Sequence, residues 1–222
     1  IGRTASLGFA RHGATVILLG RTDEKLEAVY DEIEAAGGPQ PVIFAVDMLT
    51  ASPADYAALA DAIDGEFGRL DGLLHNASIL GERSPIANYK PPLWQDVMQV
   101  NVNAQVLLTQ ALLPMLEAAP AASVVFTSSG VGRRGRAHWG AYAVSKFATE
   151  GLMQVLADEL ENISKVRVNS LNPGATRTRM RASAYPGEDP NTLKTPEDIM
   201  PAYLYLLGDD SAGVNGEAFD AQ

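Results

Sequence analysis

The chain contains no cysteine, which removes disulfide stapling, a thiolate nucleophile and any cysteine-ligated metal, and fits a reducing cytoplasm. Long hydrophobic runs are missing as well. No stretch of 18 apolar residues occurs, so nothing reads as a membrane span, and the start Ile1-Gly2-Arg3 carries no signal-peptide signature. Basic charge is scarce: 17 Lys plus Arg stand against 27 Asp plus Glu, a net charge of −10. A surface of that sign repels phosphate backbones, so nucleic acid is not an expected partner. Histidine occurs three times, without His-x3-His spacing and without a carboxylate cluster, and no metal site is expected.

What is present fits one globular domain over residues 1–222: 46% of residues are hydrophobic and 20% charged. Short apolar segments alternate with stretches of helical periodicity. Strands are expected at 14–20, 42–46, 71–75, 123–128, 166–171 and near 216–219, and helices at 4–13, 23–38, 53–67, about 92–118, 140–162 and 196–207. The loop 173–195, rich in Pro, Gly and Arg, is expected to be the only long irregular segment and reads as a lid. Strand–helix alternation of this kind predicts a doubly wound parallel sheet of Rossmann-like type in an α/β/α sandwich. In such sheets ligands bind beyond the carboxyl ends of the strands. The unusual polar residues fall there: Arg21, Asp47, Asn76, Ser128, Ser129 and Pro173-Gly174 each follow a predicted strand. One or two would be turn chemistry; the series predicts a shared crevice.

Within 129-SGVGRRGRAHWGAYAVSK-146, Tyr142 and Lys146 lie four residues apart on a predicted helix and so share a face. A free tyrosine has a pKa of about 10, and bringing it near neutrality takes roughly 4 kcal/mol. A nearby ammonium supplies part of that by stabilising the phenolate. Ser129, at a strand end, is placed to hydrogen-bond the substrate oxygen that Tyr142 would protonate. The bland reading, a chance Tyr-x3-Lys on a helix, does not account for the serine or for the α/β pattern.

With Tyr142-x3-Lys146, Ser129, 75-HNAS-78, 99-QVNVNA-104, 172-NPG-174 and Asp47, the sequence resembles the short-chain dehydrogenases/reductases over almost its whole length. The stretches 93-LWQDVMQVNVNA-104, 144-VSKFATEGLMQVLADE-159, 194-KTPEDIMP-201 and 219-FDAQ-222 are similar to a bacterial subgroup, the YciK-type oxidoreductases. The resemblance implies a catalytic tetrad of Asn101, Ser129, Tyr142 and Lys146. Tyr142 would be the general acid, Lys146 would lower its pKa and hold the nicotinamide ribose, Ser129 would orient the carbonyl, and Asn101 would hold a relay water. Asn103 and Ser128 compete for the last two places, and a helix-kinking role competes for Asn101.

The same resemblance implies a dinucleotide cofactor. Gly20 stands where an acidic residue would take a ribose 2′-hydroxyl, and Arg21 follows it with a planar fork suited to a 2′-phosphate, which favours NADP(H) over NAD(H). The alternative is that Arg21 pairs with Asp23 or Glu24. Asp47 and Met48 match the adenine contact; Asn76, Ala77 and Ser78 match the segment along the adenosine ribose, with Ser78 where the family usually has glycine. Pro173, Gly174 and Thr178 match the segment that holds the carboxamide. Ile1 and Gly2 match only the end of the family's Gly-rich turn. The strand and turn that the family places first would lie between strands 14–20 and 71–75, and the domain is expected to be incomplete at its N-terminal side.

Three further expectations follow. Arg133, Arg134, Arg136, Arg177, Arg179 and Arg181 point either to an anionic substrate or to surface and subunit contacts. The apolar arcs Leu107, Leu108, Ala111, Leu112 and Val144, Phe147, Leu152, Val155 either face the sheet or, by resemblance, build a homodimer or homotetramer. The reading overall is an NADP(H)-dependent oxidoreductase for a small carbonyl or alcohol. A non-catalytic dinucleotide-binding or interaction protein on the same fold is the alternative, and an epimerase with a C-terminal substrate domain has no room after residue 174.

Overall fold

The computed structural model describes residues 1–222. The elements run α1 (Gly2–Arg11), β1 (Ile17–Gly20), α2 (Asp23–Ala35), β2 (Val42–Ala45), α3 (Pro53–Phe67), β3 (Gly72–His75), α4 (Pro91–Met98), α5 (Ala104–Ala118), β4 (Ser123–Thr127), α6 (Gly140–Leu160), β5 (Arg167–Asn172), α7 (Arg179–Ala184), α8 (Met200–Leu207) and β6 (Ala218–Asp220). A π-helical turn over Gln99–Asn103 joins α4 to α5. Every strand pairing is parallel, so all strand carboxyl ends point one way.

The strands form two sheets: β1-β2, and β3-β4-β5-β6. Between β1 and β3, where the sequence reading set a further strand, lies a cleft of about 1400 Å³ lined by Ile17, Leu18 and Leu19 on one side and Leu73, Leu74 and His75 on the other. Side-chain alternation then divides the core. Val124, Phe126 and Val168 face α3, α5 and α6 together with Tyr56, Leu108, Leu116 and Met153. Val125 and Leu171 face the opposite layer, where Ala5 of α1 meets Met200, Tyr203 and Leu206 of α8. A third cluster, Leu7, Leu18, Val29 and Ile33, packs α1 and α2 on β1. With both faces covered, β4 is buried at all five residues, which is why it reads as an unbroken apolar run.

Local chemistry sets the boundaries. α3 coincides with its expected range because Ser52 and Asp55 close a capping box, Pro53 opens the first turn and Gly68 ends it at φ +65°. α1 starts at Gly2 rather than Thr4, with the Ile1 carbonyl accepting from Ala5 N at 2.9 Å. β1 starts at Ile17 rather than residue 14, because Ala14 N bonds back to the Phe9 carbonyl and closes the helix. β6 starts at Ala218 because Gly216 takes φ +74°. Two expectations about loops are corrected. Residues 173–195 contain α7, capped by Thr178 Oγ1 accepting from Arg181 N at 3.1 Å. Residues 76–90 form a second long irregular segment, broken only by a 3₁₀ turn at Ile86–Asn88.

The apolar arcs split between the two readings given for them. Leu108 and Leu112 are buried in the core, and Leu107, Ala111 and Leu152 pack against it, whereas Val144, Phe147 and Val155 of α6 are exposed.

Phe126 is fully buried at the centre of β4 and stacks on His75 with ring centroids 4.6 Å apart. Phe126→Ala is expected to cost about 3–5 kcal/mol of stability, read from the midpoint of urea unfolding with an unchanged slope.

Candidate active site

Beyond the carboxyl ends of β4 and β5, the first half of α6 presents two polar groups that water barely reaches. Tyr142 is 8% exposed and Lys146 2%. One turn apart on one helix, they share a face, and the Lys146 Nζ lies 5.7 Å from the Tyr142 ring centroid. Nζ donates to the Thr127 carbonyl at 2.7 Å, which ties α6 to the last residue of β4. Burial brings the lysine pKa down to about 8, with the charge of Glu150 opposing that fall. Burial also pushes the Tyr142 phenol up to about 12, while the Ser129 hydroxyl, in hydrogen-bonding reach, pulls it down. The lysine was expected to make the phenol acidic. Here one of the three ammonium N–H groups goes to the Thr127 carbonyl, and burial of the phenol outweighs its hydrogen bond with Ser129.

The competition between the two serines is resolved by the alternation of an extended chain. Ser128, buried, points away from the phenol and donates to Glu150 Oε1 at 2.5 Å; Ser129, half-buried at φ −163°, turns toward Tyr142. Asn101 is fully buried in the π turn. Its Nδ2 donates to the Ile79 carbonyl at 2.9 Å and to Ser145 Oγ at 3.0 Å, and its Oδ1 accepts from Ile79 N at 2.8 Å. Both side-chain amide N–H groups are therefore committed within the chain. Asn103 points out to Gln99 at 3.0 Å.

The residues expected at a cofactor line the same end of the sheets. Arg21 is exposed after β1 and makes no ion pair, so the alternative pairing with Asp23 or Glu24 is absent. Asp47 turns back to accept from Leu49 N at 3.0 Å, and the Met48 carbonyl accepts from Gln99. Gly2 abuts Asn76 so closely that a Cβ would lie 2.8 Å from its Nδ2, which brings Ile1-Gly2 and the start of α1 against the end of β3. Ala77 is exposed, and the neighbouring Ser78 Oγ is buried without a partner. Pro173 and Gly174, the latter at φ +68°, lie against Gln222, whose Nε2 donates to the Pro173 carbonyl at 2.6 Å. Thr178 caps α7.

The wall facing Tyr142 is apolar and aromatic: Val131, Trp139 and Ala184 are buried with it, and Leu80, Met180 and Tyr185 pack alongside. Arg83 joins the two loops here. Its guanidinium lies 4.9 Å from the Trp139 ring and 5.0 Å from the Tyr185 ring, and it donates to the Ala184 carbonyl. The turn that swings Trp139 over Tyr142 takes His138 to φ +68° and Gly140 to φ +37°, where a Cβ would come within 2.5 Å of the Tyr89 ring. Of the six clustered arginines, Arg133 is engaged by Glu150, Asp220 and the Phe219 carbonyl, Arg181 by Glu188, and Arg177 by the Pro190 carbonyl. Glu150 and Arg83 were missed in the sequence. For Glu150 a signal existed, its place four residues beyond Lys146; Arg83 meets its rings only through tertiary contacts and had none.

Comparison with known proteins finds relatives over the whole chain. The family model described as short chain dehydrogenase matches residues 1–189. An uncharacterized oxidoreductase, YciK, of Escherichia coli K12 is 59% identical over 222 residues, covering 100% of this chain and 87% of its own. A crystal structure of a short chain dehydrogenase from Shigella flexneri 2a complexed with NADP superposes with a TM-score of 0.96 at 58% identity, over 99% of this chain and 91% of that one. A second, from Escherichia coli CFT073 complexed with NADPH, gives a TM-score of 0.97 at 59% identity, over 100% and 91%.

Gly132 is where the loop after β4 crosses α6: a Cβ would lie 2.8 Å from the main-chain carbon and oxygen of Lys146. Because those atoms are backbone, Gly132→Ala is expected to push the loop off the helix at a cost of about 1–3 kcal/mol, seen as a lowered melting temperature.

Proposed function

The chain belongs to the short-chain dehydrogenase family, and from that premise we propose that it is an NADP(H)-dependent oxidoreductase that interconverts an apolar carbonyl compound and its alcohol. The observation that carries the reading is the grouping of half-buried Ser129 with buried Tyr142 and Lys146 beside an aromatic wall.

The residues fit a dinucleotide. An unpaired Arg21 beyond β1 suits a 2′-phosphate, the partnerless buried Ser78 hydroxyl offers a hydrogen bond to a ribose, and the close approach of Gly2 to Asn76 leaves main chain rather than side chain at the start of α1. Asp47 and Met48 would flank the adenine, and Pro173, Gly174 and Thr178 the carboxamide. When bound, NADPH supplies a hydride to the carbonyl carbon. The structures of relatives complexed with NADP and NADPH support that choice of cofactor.

Tyr142 acts as the acid. With its pKa near 12 it is protonated at neutral pH and so has a proton to give. The alkoxide that forms on hydride arrival is more basic than a phenolate, so the transfer is downhill. Ser129 hydrogen-bonds the carbonyl oxygen as negative charge builds on it. The Lys146 ammonium, about a turn away, stabilises the resulting phenolate. Asn101 keeps α6 seated against Ile79 through Ser145. The apolar wall and the engagement of Arg133, Arg177 and Arg181 favour an uncharged substrate over an anionic one. The exposed Val144, Phe147 and Val155 of α6 support assembly into a homodimer or homotetramer.

The reading is tested by NADPH oxidation against a panel of aldehydes, ketones and diketones. Tyr142→Phe is expected to lower kcat by at least about a hundredfold, the scale of one general acid. Activity surviving that change would remove Tyr142 from the mechanism. Arg21→Ala is expected to raise KM for NADPH and leave KM for NADH unchanged. A lysine with a pKa near 8 is charged below that pH and neutral above it, so reductive kcat is expected to fall as pH rises through about 8.

A further inference from the structure

Glu150 lies on α6 one turn beyond Lys146 and two beyond Tyr142, and it is only 6% exposed. A carboxylate so far from water must be paired and hydrogen-bonded to be tolerated. It accepts from Ser128 Oγ at 2.5 Å, from Ser170 Oγ at 2.7 Å and from Arg133 Nε at 3.1 Å. Those partners come from three places: the end of β4, the middle of β5 and the loop that leads to α6. Arg133 continues the chain outward, donating to Asp220 Oδ1 at 2.9 Å and to the Phe219 carbonyl at 2.8 Å on β6.

We propose that Glu150 is a positioning residue for the reaction, holding Ser129 and Lys146 in their working arrangement by fixing Ser128 and by placing a negative charge beside the lysine. The inference rests on the reading of Tyr142 and Lys146 as acid and charge partner. Two effects follow from one carboxylate. Because Ser128 is pinned toward Glu150, the next residue in the extended chain, Ser129, faces the phenol. Because a fixed anion lies one turn from the ammonium, Lys146 keeps its proton despite burial, which would otherwise lower its pKa further. The charged and titratable groups around Lys146 are Tyr142 and Glu150 on its own helix, His75 from β3, Arg133 from the loop after β4 and, beyond Tyr142, Tyr203 from α8. Of these, Glu150 is the one that favours the ammonium.

The test is a titration that needs no turnover. The full chain has five lysines, so labelling them with ¹³C at Cε gives few signals, and the Lys146 resonance is the one lost in Lys146→Arg. In Glu150→Gln, which keeps the shape and removes the charge, Lys146 is expected to titrate about one pH unit below the wild type. The alkaline limb of the pH profile of kcat should move down by the same amount, with KM for NADPH unchanged. A merely loosened site would hydrate the lysine and move its titration up, toward that of an exposed lysine. An unchanged or upward shift therefore overturns the proposal. If Glu150→Gln fails to fold because Arg133 loses its buried partner, Arg133→Gln/Glu150→Gln removes the ion pair as a whole; the same downward shift is expected there, and its absence counts equally against the proposal. If the shift occurs but the wild type oxidises no NADPH with any carbonyl of the panel, the assigned reaction fails while the coupling between the two residues stands.

Discussion

The rest of the site depends on one buried ammonium. Lys146 is almost wholly removed from water, and its hydrogen bond to the Thr127 carbonyl is what a helix facing a sheet can offer in place of solvent. From that contact follow the seating of α6 on β4, the place of the phenol one turn earlier, and the need for a counter-charge one turn later. Gly132 is glycine because the loop after β4 must pass in main-chain contact with the residue that carries this ammonium.

Burial here acts with opposite sign on two neighbours. It makes the lysine a weaker base and the tyrosine a weaker acid, since in each case water stabilised the charged form. The Glu150 carboxylate offsets part of the first and the Ser129 hydroxyl part of the second. A phenol raised in this way stays protonated at neutral pH.

Much of this was legible in the sequence. The β/α alternation, the placement of polar residues after strands and the spacing of Ser129, Tyr142 and Lys146 depend on local periodicity, which a linear chain displays directly. Less visible was anything decided by which groups compete for a partner. Tyr142-x3-Lys146 reads as an acid and its activator, but the spacing does not show that the Thr127 carbonyl, nineteen residues earlier, also accepts from the ammonium. The clustered arginines left an anion site and surface or subunit contacts both open, and the sequence did not show that Glu150 and Asp220 would engage Arg133 and Glu188 Arg181. α7 lay hidden in a stretch whose Pro and Gly content reads as loop, because its six residues are too few to show a period.

The helix that carries Tyr142 and Lys146 and the aromatic wall are held in different ways. Lys146 hangs from β4, a strand buried at every residue, so its amide neighbours open only when the whole domain does. The wall is held by Arg83 stacked on two rings between two irregular segments, a contact that local opening can break. Amide exchange would accordingly be slowest around Lys146 and fastest around Arg83 and the rings it stacks on. Drift in the wall can change which molecules enter while the chemistry done to them stays the same.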